Sequence, residues 1–178
     1  MDTGAKNLLI TGEPGIGKST VIQKLITELK PLKPVGFYTA EIRTNGVRVG
    51  FQAISIDGRR HNLAHVDLRS HLVVGKYRVG VHGFEKFLNR IDLVESNGRL
   101  VIIDEIGKME CMSRRFREVI CELLEQDRIV VATIAQEGVG LIDNIRKRDD
   151  ILLLEMNRRN REEMVGKVLR RVQQLRFS

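Results

Sequence analysis

The sequence predicts an α/β fold in three layers: a mainly parallel sheet with helices on both faces, carrying an antiparallel β-hairpin insertion. Three observations point there. Short apolar runs alternate with amphipathic stretches of helical spacing along most of the chain. Those runs, Leu100–Ile103 and Ile151–Leu154 among them, are apolar nearly throughout, as in strands buried on both faces. Between residues 35 and 80 the helical period gives way to β-rich stretches around Asn45-Gly46, a pair suited to the positive φ angles of a tight hairpin. The 178 residues amount to about one domain, so 1–178 is expected to be a single unit with a β-rich insertion at approximately 35–80.

The elements follow in order. Lys6–Thr11 reads as a short buried strand, and a Gly-rich turn leads to a helix over Ser19–Leu29 whose apolar face is Val21, Ile22, Leu25, Ile26 and Leu29. Lys30-Pro31-Leu32-Lys33-Pro34 ends it, because proline lacks the helical N–H and restricts the residue before it. Val35–Arg43 and Val47–Ile56 form the hairpin, and a turn at Asp57-Gly58 leads to a third strand ending near Ala64. A short strand is expected around Tyr77–Val79. Helical spacing then returns at Phe84, Phe87, Leu88, Ile91 and Val94, with Asn97-Gly98 as the stop. After the strand Leu100–Ile103, Ser113 is a good N-cap for a helix presenting Phe116, Val119, Ile120, Leu123 and Leu124. Arg128–Ile134 is the next strand, Leu141–Ile145 a short helix, Ile151–Leu154 a strand and Asn160–Leu175 the last helix.

Composition excludes several classes. Apolar residues make up 42% and charged residues 30%, too apolar for a disordered chain. No apolar run approaches the roughly 20 residues that span a bilayer, and the amino terminus lacks a charged leader followed by an apolar stretch, so the expected location is the cytoplasm and no membrane partner is expected. Two cysteines, Cys111 and Cys121, form no disulfide framework and are expected to be reduced, structural thiols. Much of the formal charge of +7 lies after Asn144, where ten Lys and Arg face five acids. A solvated helix face is the plain explanation; phosphate-facing arginines or a nucleic-acid surface are the others, the last not favoured.

The sharpest signal is Gly12-Glu13-Pro14-Gly15-Ile16-Gly17-Lys18-Ser19, followed by Thr20, which meets every fixed position of the phosphate-loop pattern G-x-x-x-x-G-K-[ST]. Glycines let backbone N–H groups curl around a β-phosphate, Lys18 neutralises β- and γ-phosphate oxygens, and the Ser19 hydroxyl suits Mg²⁺. The second signal is Leu100-Val101-Ile102-Ile103-Asp104-Glu105, an apolar strand ending in two acids. Asp104 there suits holding Mg²⁺, and Glu105 suits polarising the water that attacks a γ-phosphate. An acid directly after the metal-binding aspartate favours hydrolysis over transfer to another acceptor. Thr133 ends the following strand with a hydroxyl and is either a phosphate sensor or an ordinary strand-end threonine. Arg146, Arg148 and Arg161, with Arg158 and Arg159, are candidates for neutralising charge on the phosphoryl group, and spacing does not choose among them. His61 and His65 stand four apart, but in a strand-and-turn pattern that disfavours a zinc site. Glu41 and Arg43 are either a surface ion pair or part of a pocket.

In order, GEPGIGKST, GFYTAEIR, VGKYRVGVHGFE, LVIIDEIGKME, a strand ending in Thr, IRKR and an Asn-Arg pair resemble the thermophile-type nucleoside-triphosphatase family, P-loop enzymes that include the human cancer-related nucleoside triphosphatase. The likeness covers nearly the whole chain. It implies a three-layer, Rossmann-like P-loop NTPase core and slow, Mg²⁺-dependent hydrolysis of ATP, GTP, CTP, UTP and similar triphosphates with broad base specificity. By that resemblance the nucleotide-contacting segments are Gly12–Ser19, as the Walker A motif, and Leu100–Gly107, Ile106 included, as the Walker B motif. Glu105 falls where the catalytic base is expected, and Lys108 and Glu110 belong to the same motif. Lys18, Asp104 and Glu105 are thus the expected catalytic residues, Ser19 and Asp104 the expected Mg²⁺ ligands, and the chain is expected to be a monomer. Two rival readings keep the nucleotide site: a nucleoside or nucleotide kinase with its acceptor pocket in Val35–Gly80, and an NTP-dependent nucleic-acid-binding protein.

Overall fold

The computed structural model describes residues 5–176, whose strands join in one nine-stranded sheet. They are β1 (Asn7–Thr11), β2 (Val35–Thr44), β3 (Val47–Ser55), β4 (Arg60–His65), β5 (Val73–Val74), β6 (Tyr77–Val79), β7 (Leu100–Ile106), β8 (Ile129–Ile134) and β9 (Ile151–Glu155). Their order across the sheet is β5-β6-β4-β3-β2-β7-β8-β1-β9. From β2 to β9 every pairing is parallel, and on the other side of β2 every pairing is antiparallel. The hairpin segment is therefore a continuation of the central sheet, because β2 belongs to both halves: Val35–Phe37 pairs with β7, and its remainder with β3. At Gly36 (φ 142°) a β-carbon would lie 1.8 Å from the Ile102 carbonyl oxygen, so only glycine lets the two strands meet there.

Side chains alternate across a strand, which divides the core in two. Leu9, Phe37, Val101, Ile103, Val130 and Ala132 pack under α2 (Val81–Ile91), α3 (Arg114–Glu125) and α4 (Leu141–Arg146). Leu8, Ile10, Leu100, Ile102 and Val131 pack under α1 (Lys18–Glu28) and α5 (Met164–Arg176). Burying each such side chain contributes about 1.5–3 kcal/mol. Phe37 anchors the first face: its ring centroid is 5.8 Å from those of Phe84 and Phe87 on α2 and 6.2 Å from that of Phe116 on α3. Ser113 accepts from the Phe116 N–H at 3.0 Å and caps α3, as its residue type predicts.

Three local expectations are corrected, and one element was not foreseen. The helix expected to reach Asn97-Gly98 stops at Ile91, because Asp92 turns left-handed (φ 41°), and Leu93 and Val94 are buried in the loop that follows. Helix α5 starts at Met164, not Asn160: the Asn157 side chain accepts from the N–H groups of Arg159 and Asn160 and holds a turn before the helix. Strand β7 continues past Asp104 to Ile106, so the two acids lie within it. Strand β5 has two residues, too few to leave a period in the sequence. Among the described residues no helix is long and apolar enough to cross a membrane.

Candidate active site

Parallel strands place all their carboxyl ends on one edge of a sheet, where ligands of open α/β folds bind. Here the loop 12–17 follows β1 on that edge and enters α1. Gly12, Gly15 and Gly17 all have positive φ (155°, 77° and 110°), which keeps the loop coiled. At Gly12 there is also no room for a side chain, since a β-carbon would sit 2.4 Å from the Met156 carbonyl oxygen. Within the loop the Ile16 N–H donates to the Glu13 carbonyl, and the Val21 N–H donates to the Gly17 carbonyl; the N–H groups of the first turn of a helix have no intrahelical acceptor, which suits them to an anion. Lys18 is buried and folds back over the loop, donating to the Gly12 carbonyl at 2.8 Å and the Glu13 carbonyl at 3.3 Å. Ser19 is half-buried beside it, and Thr20 is exposed on α1.

Asp104 is fully buried between two threonines from the neighbouring strands. Its Oδ1 accepts from the Thr133 hydroxyl at 2.6 Å, and its Oδ2 accepts from the Thr39 hydroxyl at 3.3 Å and the Thr39 N–H at 3.5 Å. Among the described residues it has no ion pair. Pairing with β8 is broken between Ile103 and Ile106, which frees Asp104 and Glu105 from the ladder; the peptide between them is cis. Glu105 is partly exposed. Burial, with the nearby Asp104 charge, pushes its carboxyl above the usual range, and Lys18 opposes the shift. Glu110, in a short 3-10 turn (Glu110–Met112), is buried and pushed up to about 8, first by burial and then by Glu105. Cys111 rises to about 12, chiefly by burial, which leaves it an unreactive thiol.

Lys18, Glu105 and Glu110 line a cleft of 580 Å³, whereas Asp104 is wholly buried and does not reach its surface. Gly12, Pro14 and Lys18 line it from the phosphate loop; Glu105, Gly107, Met109 and Glu110 from the end of β7 and the turn after it; and Thr39, Phe51 and Val74 from the antiparallel half of the sheet. The sequence pointed to the first two sets. It pointed to Val35–Gly80 only as a segment, the acceptor pocket of the rival kinase reading, and singled out none of Thr39, Phe51 or Val74, which sheet topology brings in from the antiparallel half. A larger cleft of 1070 Å³ lies at the opposite edge of the sheet, among the strand starts Val35, Leu100 and Ile129, and contains none of the phosphate-loop residues.

Other expected site residues fall in different places. Leu100, Val101, Ile102 and Ile103 were expected among the nucleotide contacts, but their side chains are consumed by the two cores; Ile106 is likewise wholly buried. That strand serves the site by carrying the two acids. Thr133, expected as a phosphate sensor, is fully buried and gives its proton to Asp104. Arg146 reaches the carboxyl ends of two strands, donating to the Thr11 hydroxyl at 3.0 Å and the Ala135 carbonyl at 3.2 Å. Arg148 is a correction: it grips Asp150 through two bonds of 2.8 Å and Glu125 at 2.7 Å, and Asp150 accepts from Asn7 at the amino end of β1, away from the phosphate loop. Arg158 and Arg161 flank the loop itself, lining a recess of 420 Å³ with Glu13, Pro14, Gly15 and Ile16. Glu41 makes exposed ion pairs with Arg43 at 2.6 Å and Arg48 at 2.8 Å, outside the cleft.

Comparison with known proteins adds to this geometry. Residues 7–169 match the family model described as NTPase. A nucleoside-triphosphatase THEP1 of Thermotoga sp. (strain RQ2) is 40% identical over 163 residues, which cover 91% of this chain and 92% of the relative. The crystal structure of THEP1 from Aquifex aeolicus superposes with a TM-score of 0.80 at 33% identity, covering 93% of this chain and 98% of that one. The solution structure of a human cancer-related nucleoside triphosphatase gives 0.80 at 32% identity, covering 96% and 98%.

Proposed function

The chain belongs to the NTPase family, and on that premise we propose that it is a nucleoside-triphosphatase that cleaves the β,γ phosphoanhydride of ATP, GTP, CTP, UTP and similar triphosphates with water and Mg²⁺. The observation that carries this reading is that Lys18 of the phosphate loop and Glu105 line one cleft, with the buried Asp104 carboxylate adjoining Glu105 in the same strand. Lys18 exchanges its loop carbonyls for β- and γ-phosphate oxygens, and the N–H groups at the start of α1 bind the β-phosphate. Glu105 orients the attacking water and takes its proton. Burial suits it to that work, because a carboxylate pushed above its ordinary range is a stronger base.

The residues fit Mg²⁺. Asp104 is a buried carboxylate with no cationic partner among the described residues, and Ser19 offers a second hard oxygen at the start of α1. When bound there, the ion supplies positive charge against the phosphates. Thr39 and Thr133 keep the Asp104 carboxylate facing one way, whatever occupies the cleft. The recess beside the loop is lined by Pro14, Ile16, Arg158 and Arg161, side chains that pack against any base, which supports broad base specificity.

Phosphate release from ATP, GTP, CTP and UTP, with Mg²⁺ and then with excess chelator, tests the reading. All four are expected to give the diphosphate and free phosphate at similar rates, and chelator is expected to stop the reaction. Absence of release from all four would overturn it.

A further inference from the structure

The antiparallel half of the sheet contributes no residue to the phosphate loop, yet it supplies Thr39, Phe51 and Val74 to the cleft, where Met109 joins them. A single attacking water occupies about 30 Å³. The cleft measures 580 Å³, within the range of organic ligand sites, and Phe51, Val74 and Met109 give it an apolar wall. That wall is firmly built. The Phe51 ring meets the Tyr77 ring edge-on at 5.1 Å and is backed by the Arg48 guanidinium at 5.1 Å from its centroid.

Polar groups of the lining complete the site. Beyond Lys18, which the loop commits to phosphate, the lining holds Glu105, Glu110 and Glu137 against Lys108, and no arginine. A β-carbon on Gly107 would stand 2.9 Å from Glu110 Oε2 and 3.5 Å from Glu105 Cδ, so the two carboxyl groups converge on one point of the lining. A molecule with hydroxyl donors and a flat ring finds the Glu105 carboxylate as an acceptor and the apolar Phe51, Val74 and Met109 side chains beside it. We propose that this wall binds a nucleoside, whose hydroxyl takes the γ-phosphoryl group in place of water. The proposal rests on the triphosphatase reading of the same site. The nucleoside oxygen bonds to the γ-phosphorus as the bond from that phosphorus to the β,γ-bridging oxygen breaks. The hydroxyl proton passes to the Glu105 carboxylate, and the bridging oxygen leaves with the nucleoside diphosphate. When no nucleoside is bound, water is the acceptor.

The test incubates the full chain with Mg²⁺, γ-labelled ATP and each of adenosine, guanosine, cytidine and uridine in turn, and separates labelled phosphate from labelled nucleoside monophosphate. At least one nucleoside is expected to carry label. The ratio of labelled monophosphate to labelled phosphate is expected to fall at least tenfold in both Phe51→Ala and Val74→Asp, a ratio that does not depend on how much of the variant folds. Labelled phosphate alone with every nucleoside would overturn the acceptor site and leave hydrolysis standing. An unchanged ratio in both variants would also overturn it, and release of no label at all would overturn both readings.

Discussion

Replacing Thr133 with valine removes one O–H and almost no volume from a fully buried place. The lost bond is the 2.6 Å donation to Asp104 Oδ1, made to a charged acceptor that water does not reach. Hydrogen bonds to charged groups contribute about 1.5–3 kcal/mol, and the Thr39 contacts, at 3.3 and 3.5 Å on the other oxygen, are too long to replace it. For a chain of this length each kcal/mol moves the melting temperature by about 2–4 °C, so Thr133→Val is expected to melt roughly 3–12 °C below the parent without Mg²⁺. Circular dichroism melts measure it. The charge is tested by repeating the substitution in an Asp104→Asn background, where a neutral acceptor leaves only about 0.5–1.5 kcal/mol to lose. A shift below 1 °C, or an equal cost in both backgrounds, would refute the argument that a buried charged acceptor holds this hydroxyl.

Five further outcomes are expected. Lys18→Ala should lower phosphate release by at least about a hundredfold, the scale of losing one preorganised charge at a developing anion, measured as kcat/KM. Glu105→Gln should keep nucleotide binding, read by a fluorescent triphosphate analogue, while kcat falls about 10²–10⁴-fold; an unchanged kcat would refute Glu105 as the base. The parent rate should rise as pH climbs through the elevated Glu105 pKa, since the base works unprotonated, and that limb should vanish in the variant. Folded Glu110 holds its proton to about pH 8, whereas the unfolded chain releases it near 4.5, so the folded state binds more protons between those values and stability falls as pH rises. Urea midpoints across pH 5–8 should show a decline of up to about 1.4 kcal/mol per pH unit that Glu110→Gln flattens. Arg148→Ala should lose about 1 kcal/mol or less, because its ion pairs are partly exposed, and should leave phosphate release within about twofold; a large loss of activity would restore it to the site.

Residue type and spacing by themselves determined the phosphate loop, the order of strands and helices, and the family. Gly12, Gly15 and Gly17 could be placed from sequence because backbone N–H groups must approach an anion, which only glycines at such spacing allow. Ser113 could be placed as a cap for a similarly local reason. Apolar spacing was less reliable at element ends: Leu93 and Val94 continue the period of α2 but lie beyond its left-handed stop, since a buried loop needs apolar residues as much as a helix does. Tertiary structure alone decided which distant residues meet. That Thr39 and Thr133 clamp Asp104 depends on β2 and β8 lying on either side of β7, and that Phe51 and Val74 wall the cleft depends on the antiparallel half joining the same sheet through β2. The arginines divide for the same reason. Arg146 and Arg148 stand two apart, yet one reaches the strand ends by the phosphate loop and the other binds Asp150 and Glu125 away from it, because a helix end and the turn after it send neighbouring side chains in different directions.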